Sequence, residues 1–250
     1  MLKLKNVTKT FADIKAVSDV SFEVEDGEFI FITGPSGAGK TTLLKLILRE
    51  YIPDSGEIIL DGEDLAKLKG KEIPRIRQQM GCVFQDFKLI PERTLRENVE
   101  IALAVTKIPE KEWKNRVEHV LKLVGLDERA NLFPSQLSGG ELQRTSMARA
   151  LVINPKILLA DEPTGNLDWD TADSIMSLFE KVNKEGKTIL MATHNKEIIG
   201  KFKERIIEIK EGKIVKDSGS KGGKKPSQKT ESPDKKETEP DESETREDKS

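Results

Sequence analysis

Residues 29–49 constrain this chain more than any other stretch. Phe29-Ile30-Phe31-Ile32-Thr33 is an apolar run, the pattern of a strand buried on both faces. It leads straight into Gly34-Pro35-Ser36-Gly37-Ala38-Gly39-Lys40-Thr41-Thr42, and a helical pattern extends from Lys40 to Arg49. Strand, glycine loop and helix in that order make an anion site. The glycines allow a turn whose backbone N–H groups surround phosphate oxygens, and the helix adds its positive N-terminal end. Lys40 reaches the β- and γ-phosphates as a point charge, and the Thr41 hydroxyl is a magnesium donor. The pattern Gly34-x-x-x-x-Gly39-Lys40-Thr41 is a Walker A loop, so ATP with Mg²⁺ is the expected ligand.

Two more apolar runs end in polar residues suited to the same chemistry. Ile157-Leu158-Leu159-Ala160 leads to Asp161 and Glu162, and Thr188-Ile189-Leu190-Met191-Ala192 leads through Thr193 to His194. A carboxylate at the carboxyl edge of a parallel sheet is placed to hold Mg²⁺, the expected role of Asp161. One residue further, Glu162 is placed to accept a proton from an attacking water. The His194 imidazole is placed to donate to the γ-phosphate. Glu162, His194 and Lys40 are therefore the expected catalytic residues.

Elsewhere the periodicity alternates between two and 3.6. Leu2 to Val7 and Val17 to Val24 alternate like antiparallel strands. Glu57 to Leu60 and Glu208 to Val215 read as hairpin-type strands with Asp-Gly and Glu-Gly turns. Helices are expected over Lys111–Val124, Gly139–Ile153 and Thr171–Asn183, with a mostly helical region from about Ile90 to Phe133. The fold class is α/β: a mainly parallel core sheet, an antiparallel β subdomain, and a helical subdomain inserted at about residues 90–150. Residues 1–217 are expected to form the ATPase domain. From Ser218 to Ser250 no aliphatic or aromatic residue occurs, so 218–250 is expected to be a disordered charged tail.

Composition excludes some classes. The formal net charge of −2 gives no reason to expect nucleic acid, and the single Cys82, in an apolar run, rules out an internal disulfide. The N-terminus reads as a strand, not a signal peptide, and no apolar run approaches the roughly 20 residues that span a bilayer. Membrane contact is expected only through a partner.

In this order, the segments resemble the nucleotide-binding subunit of an ABC ATPase over roughly residues 2–216. The most specific stretch is Leu137-Ser138-Gly139-Gly140-Glu141-Leu142-Gln143-Arg144. The resemblance implies that Ser138, Gly139, Gly140 and Glu141 meet the γ-phosphate of ATP held by a second copy, at the N-terminus of a helix. It implies a homodimer when ATP is bound. It assigns Gln85 to the Q-loop, as a metal residue beside Thr41 and Asp161 and a fourth member of the catalytic set. Asp168 falls in the D-loop at the dimer interface, and Phe11 on the adenine face. The stretches Val83 to Val99 and Leu158 to Asp168 resemble the cell-division ATPases of the FtsE kind. Glu72 to Gly81 and Phe133 to Ser138 resemble them too. That branch implies an FtsX-like integral membrane partner, a place on the cytoplasmic face of a bacterial membrane, and control of cell-wall hydrolases. ATPases of lipoprotein-releasing or MacB-type efflux complexes share Asn166-Leu167-Asp168 and remain the alternative, ahead of ABC ATPases that serve no transporter.

Overall fold

The chain is described by a computed structural model over residues 1–106 and 108–219. The three apolar runs are strands β3 (Phe29–Thr33), β7 (Ile157–Asp161) and β8 (Thr188–Ala192). Strand alternation divides each of them between two cores. Phe29, Phe31, Leu158, Ala160, Ile189 and Met191 face one, while Ile30, Ile32, Ile157, Leu159, Leu190 and Ala192 face the other. Both faces are covered, so the runs need no polar positions. Each large side chain among them, fully buried, contributes about 1.5–3 kcal/mol.

These strands sit within a six-stranded sheet completed by β6 (Met80–Phe84), β9 (Arg205–Lys210) and β10 (Lys213–Asp217), in the order β10-β9-β3-β8-β7-β6. All neighbours are parallel except β10 and β9, a hairpin turned at Glu211-Gly212. The hairpin agrees with the sequence pattern, but β9 also joins the parallel sheet beside β3, which the pattern does not indicate. Met80–Phe84, an apolar run in the sequence, forms an edge strand. A second sheet, order β2-β1-β4-β5, is antiparallel: β1 (Leu2–Phe11), β2 (Ile14–Val24), β4 (Ser55–Leu60) and β5 (Glu63–Asp64). Expected to end near Val7, β1 instead runs to Phe11.

Helix α1 (Lys40–Ile47) shares its core with the antiparallel sheet through Leu43, Leu44, Leu46 and Ile47, as does Ile76 of α2 (Ile73–Arg77). The other core is covered by α3 (Leu95–Val105), α4 (Glu110–Leu123), α5 (Gly139–Leu151) and α6 (Trp169–Lys184). A short α7 (Lys196–Lys201) precedes β9. Thr94 starts α3 as a capping box with Glu97, giving that threonine a structural task. Fully buried, Asn98 donates to the carbonyls of Ile90, Arg93 and Thr94 and accepts from Ile90 N–H, closing the loop before the helix. Burial pushes the Cys82 thiol up to about 12, which suits an inert thiol. Among the described residues no helix is long and apolar enough to cross a membrane. Of the expected tail, residues 220–250 lie outside the described residues.

Arg205 fastens the far edge of the large sheet to the chain entering it. Its Nε and Nη2 donate to Asp217 at 2.8 and 2.7 Å, and Nη1 donates to Glu28 at 2.9 Å and to the Glu23 carbonyl at 2.8 Å. Burial acts to raise the Asp217 carboxyl, but the Arg205 hydrogen bonds and the Gly219 amide outweigh it and hold it below the usual range. A folded-state value below the unfolded one gives stability that is present above the unfolded pKa and lost as pH falls through the folded one. Asp217→Asn is therefore expected to destabilise the chain at pH 7 by about 1–3 kcal/mol. In thermal unfolding across a pH series, the gap between wild type and variant should narrow below about pH 4.

Candidate nucleotide site

Parallel register aligns four strand ends. Ile32 pairs with Ala192, Ala192 with Asp161, and Asp161 with Phe84. Just beyond these ends, Gly34, His194, Glu162 and Gln85 therefore leave the sheet at one edge, from four neighbouring strands. A cleft of about 590 Å³ opens there, lined by Ser36 to Thr42, Gln85, Glu162 and His194. Motif order alone groups these residues in the sequence, and the structure brings them together.

The glycine loop fits its surroundings closely. Gly39 stands at φ 105° as the residue before α1, and a Cβ there would lie 2.1 Å from the Ala16 carbonyl oxygen. Both the backbone angle and the space exclude a side chain. Lys40 is nearly buried; its Nζ donates to the carbonyls of Gly34 (2.9 Å) and Pro35 (3.2 Å) and stands 3.6 Å from Glu162 Oε1. A cation on the first residue of α1, where the helix N–H groups are unpaired, makes the cleft a site for polyanions.

Opposite the loop stand two carboxylates in different settings. The Thr41 hydroxyl donates to Asp161 Oδ1 at 3.1 Å. Burial raises the Asp161 carboxyl above its ordinary range; the Thr41 bond opposes this and the neighbouring Glu162 charge adds to it. Glu162 has left the strand with φ 47°, a left-handed backbone that a glutamate adopts at a cost. Its Oε1 lies 2.8 Å from His194 Nδ1, and its N–H donates to the Ala192 carbonyl. The strained turn thus aims Glu162 at Lys40 and His194. Gln85 Nε2 donates to Asn166 Oδ1 at 3.1 Å, joining the end of β6 to the loop after β7. For a hard cation, the Thr41 hydroxyl, the Asp161 carboxylate and the Gln85 amide oxygen are fitting donors. Mg²⁺ takes few protein ligands and completes its shell with phosphate and water.

Other expected site residues stand elsewhere in this copy. Ser138 caps α5: its hydroxyl meets Glu141 N–H at 3.4 Å and Glu141 Oε2 at 2.8 Å. The Ser138 N–H bond and hydroxyl hold Glu141 below the usual carboxylate range, and Arg129 pairs with it at 2.9 Å. Glu141 is thereby committed to the cap. Ser138 and Gly139 are solvent-accessible, and Gly140 packs so near Thr171 that a Cβ would lie 2.4 Å from its Cγ2. Asp168 caps α6 by accepting from Thr171 N–H at 3.0 Å. None of Ser138 to Glu141 or Asp168 lines the cleft. Phe11 does not line it either. It ends β1 with its ring edge-on to Tyr51 at 5.1 Å. Ile14, Lys15 and Ala16 line the cleft instead, with Glu211 and Gly212. Sequence reasoning misses these five; an exposed Ile14 at the start of an alternating strand is the one available signal.

Known proteins resemble this chain over most of its length. Residues 17–165 match the ABC transporter family model. The cell division ATP-binding protein FtsE of Bacillus subtilis is 49% identical over 218 residues, 87% of this chain and 96% of its own. FtsE of Escherichia coli strain K12 is 43% identical, across 86% of this chain and 97% of its own. Among solved structures, a dimeric ATP-binding cassette in a post-hydrolysis state with ADP and phosphate superposes with a TM-score of 0.79 at 41% identity. The match covers 87% of this chain and 97% of that one. The chain belongs to the ABC transporter family, as an FtsE-type cassette that binds ATP and hydrolyses it.

Proposed function

We propose that this chain is the ATP-hydrolysing subunit of an FtsEX-like cell-division complex, peripheral to the cytoplasmic face of a bacterial membrane. The observation that carries the reading is near full-length similarity to FtsE proteins, 96% of the Bacillus subtilis protein at 49% identity. It is joined to a cleft in which the phosphate loop, Glu162, His194 and Gln85 converge, with Asp161 bonded to Thr41 of its lining. A methionine import ATPase is 42% identical, but this chain spans only 64% of that protein.

The site works as an anion cradle with a base. Lys40 and the loop N–H groups bind the phosphates and spread the charge that builds on them during transfer. Thr41, Asp161 and Gln85 would hold Mg²⁺, which when bound neutralises charge on the phosphates. His194 orients the Glu162 carboxylate. Water attacks the γ-phosphorus as the bond to the β,γ-bridging oxygen breaks, and its proton passes to Glu162; ADP and phosphate leave. Ser138 and the Gly139 and Gly140 N–H groups, at a helix start outside the cleft, act on ATP held by a second copy. Two copies therefore enclose two ATP molecules, and hydrolysis reopens the pair. Phe11 pairs with Ile14, which lines the cleft, and would meet the base.

For the membrane partner, the fitting surface is a cleft of about 420 Å³ between α3, β6 and α5, whose lining includes Phe84, Ala102, Val105 and Ile153. Val105 is 70% exposed there, so a partner seated on this lining would cover it. It borders the loop that begins at Gln85, so motion at the phosphates would reach the partner through a short path.

Glu162→Gln keeps the shape and loses the base. Turnover should fall about 10²–10⁴-fold while ATP still binds, and an ATP-bound dimer should accumulate on size exclusion. Turnover near wild type would remove Glu162 from the mechanism. Val105→Lys, with thermal unfolding unchanged, should abolish co-purification of the FtsX-like partner from native membranes. Undiminished recovery of the partner would place its dock elsewhere.

A further inference from the structure

The loop that carries Gln85 has a backbone that needs an external hold. Phe87 and Lys88 stand at φ 58° and 52°, two successive non-glycine residues in the left-handed region. Arg149, on the last turn of α5, reaches across 61 residues of sequence to this turn. Its Nη2 donates to the Phe87 carbonyl at 2.8 Å and its Nη1 to the Lys88 carbonyl at 2.5 Å. The fork of a guanidinium suits two successive carbonyls; a lysine would supply one point of contact. Arg149 is half-buried, and burial lowers its pKa, so the two carbonyls are what satisfy its donors. The same helix begins at Ser138, the residue expected to face the second copy's ATP.

We infer that Arg149 is a positioning residue: it clamps the left-handed Phe87–Lys88 turn, fixes where Gln85 enters the cleft that Thr41 also lines, and ties that loop to the helix capped by Ser138. This rests on the metal role proposed for Gln85. The clamp joins the two functional ends of one copy, the loop that meets its own nucleotide and the helix start that meets its neighbour's. It also lies in the wall of the partner cleft, to which both Lys88 and Arg149 contribute.

The test is Mg²⁺ titration of ATP hydrolysis by the full chain, with unfolding midpoints measured alongside. Arg149→Met should raise the Mg²⁺ concentration for half-maximal hydrolysis about tenfold, as Gln85→Ala should, and Arg149→Lys should not restore it. Lys88→Gly should recover most of the loss when combined with Arg149→Met, because glycine takes the left-handed angle without strain. A loosened core would lower the midpoint in Arg149→Met without such recovery. If Gln85→Ala shifts the Mg²⁺ dependence and neither Arg149 variant does, the clamp is wrong. If Gln85→Ala shifts nothing, the metal role of Gln85 falls and takes the reason for the clamp with it. Should Arg149→Met not fold, Arg149→Lys alone and with Lys88→Gly gives the same comparison.

Discussion

The parallel pairing of β3, β8, β7 and β6 sets everything else at the site. Because Ile32, Ala192, Asp161 and Phe84 lie in one line across the sheet, each strand stops at the same edge. The residue leaving each strand is then held within reach of its neighbours without any loop having to span a gap. That register is fixed by burial on both faces. A shift by one residue would exchange every side chain between the two cores and carry Asp161 away from Thr41. Chemistry at the edge is thus a consequence of hydrophobic packing in the middle of the sheet.

At the site, strain gathers along that edge and its approaches. Gly39 absorbs a close passage beside Ala16, whereas Glu162 takes a left-handed angle without glycine's freedom. The cost is offset by the bonds the turn makes, to His194, to the Ala192 carbonyl and toward Lys40. Phe87 and Lys88 repeat the pattern in the loop after the neighbouring strand, held there by Arg149.

Much of this is legible in the sequence, for physical reasons that differ by element. The central strands can be read because burial on both faces leaves only apolar residues, and the phosphate loop because few residue types meet its steric demands. Strand β6 escapes because a glycine interrupts the run Met80-Gly81-Cys82-Val83-Phe84, and α2 and α7 are too short to show a helical period. Strand β9 has a clear hairpin signature, which hides its parallel pairing with β3. Within the site, Lys40, Thr41, Asp161, Glu162, His194 and Gln85 carry chemistry in their side chains and can be named. Arg149 and Asn98 cannot, since their partners are backbone carbonyls that leave no mark on the sequence. Arg49 is similar: as the chain leaves α1, its side chain bonds the Leu65 and Ala66 carbonyls, a role unreadable beforehand.

The central claim is that one copy holds the phosphates and the other supplies Ser138. A mixing experiment tests it most directly, using Lys40→Ala chains and Ser138→Arg chains, each inactive alone. In a mixed dimer, one site carries both defects and the other carries neither. The account predicts that ATP hydrolysis returns on mixing, up to about one quarter of the wild-type rate if dimers form at random and sites act independently. Two inactive proteins that stay inactive on mixing, while still forming mixed dimers, would contradict a site shared between copies.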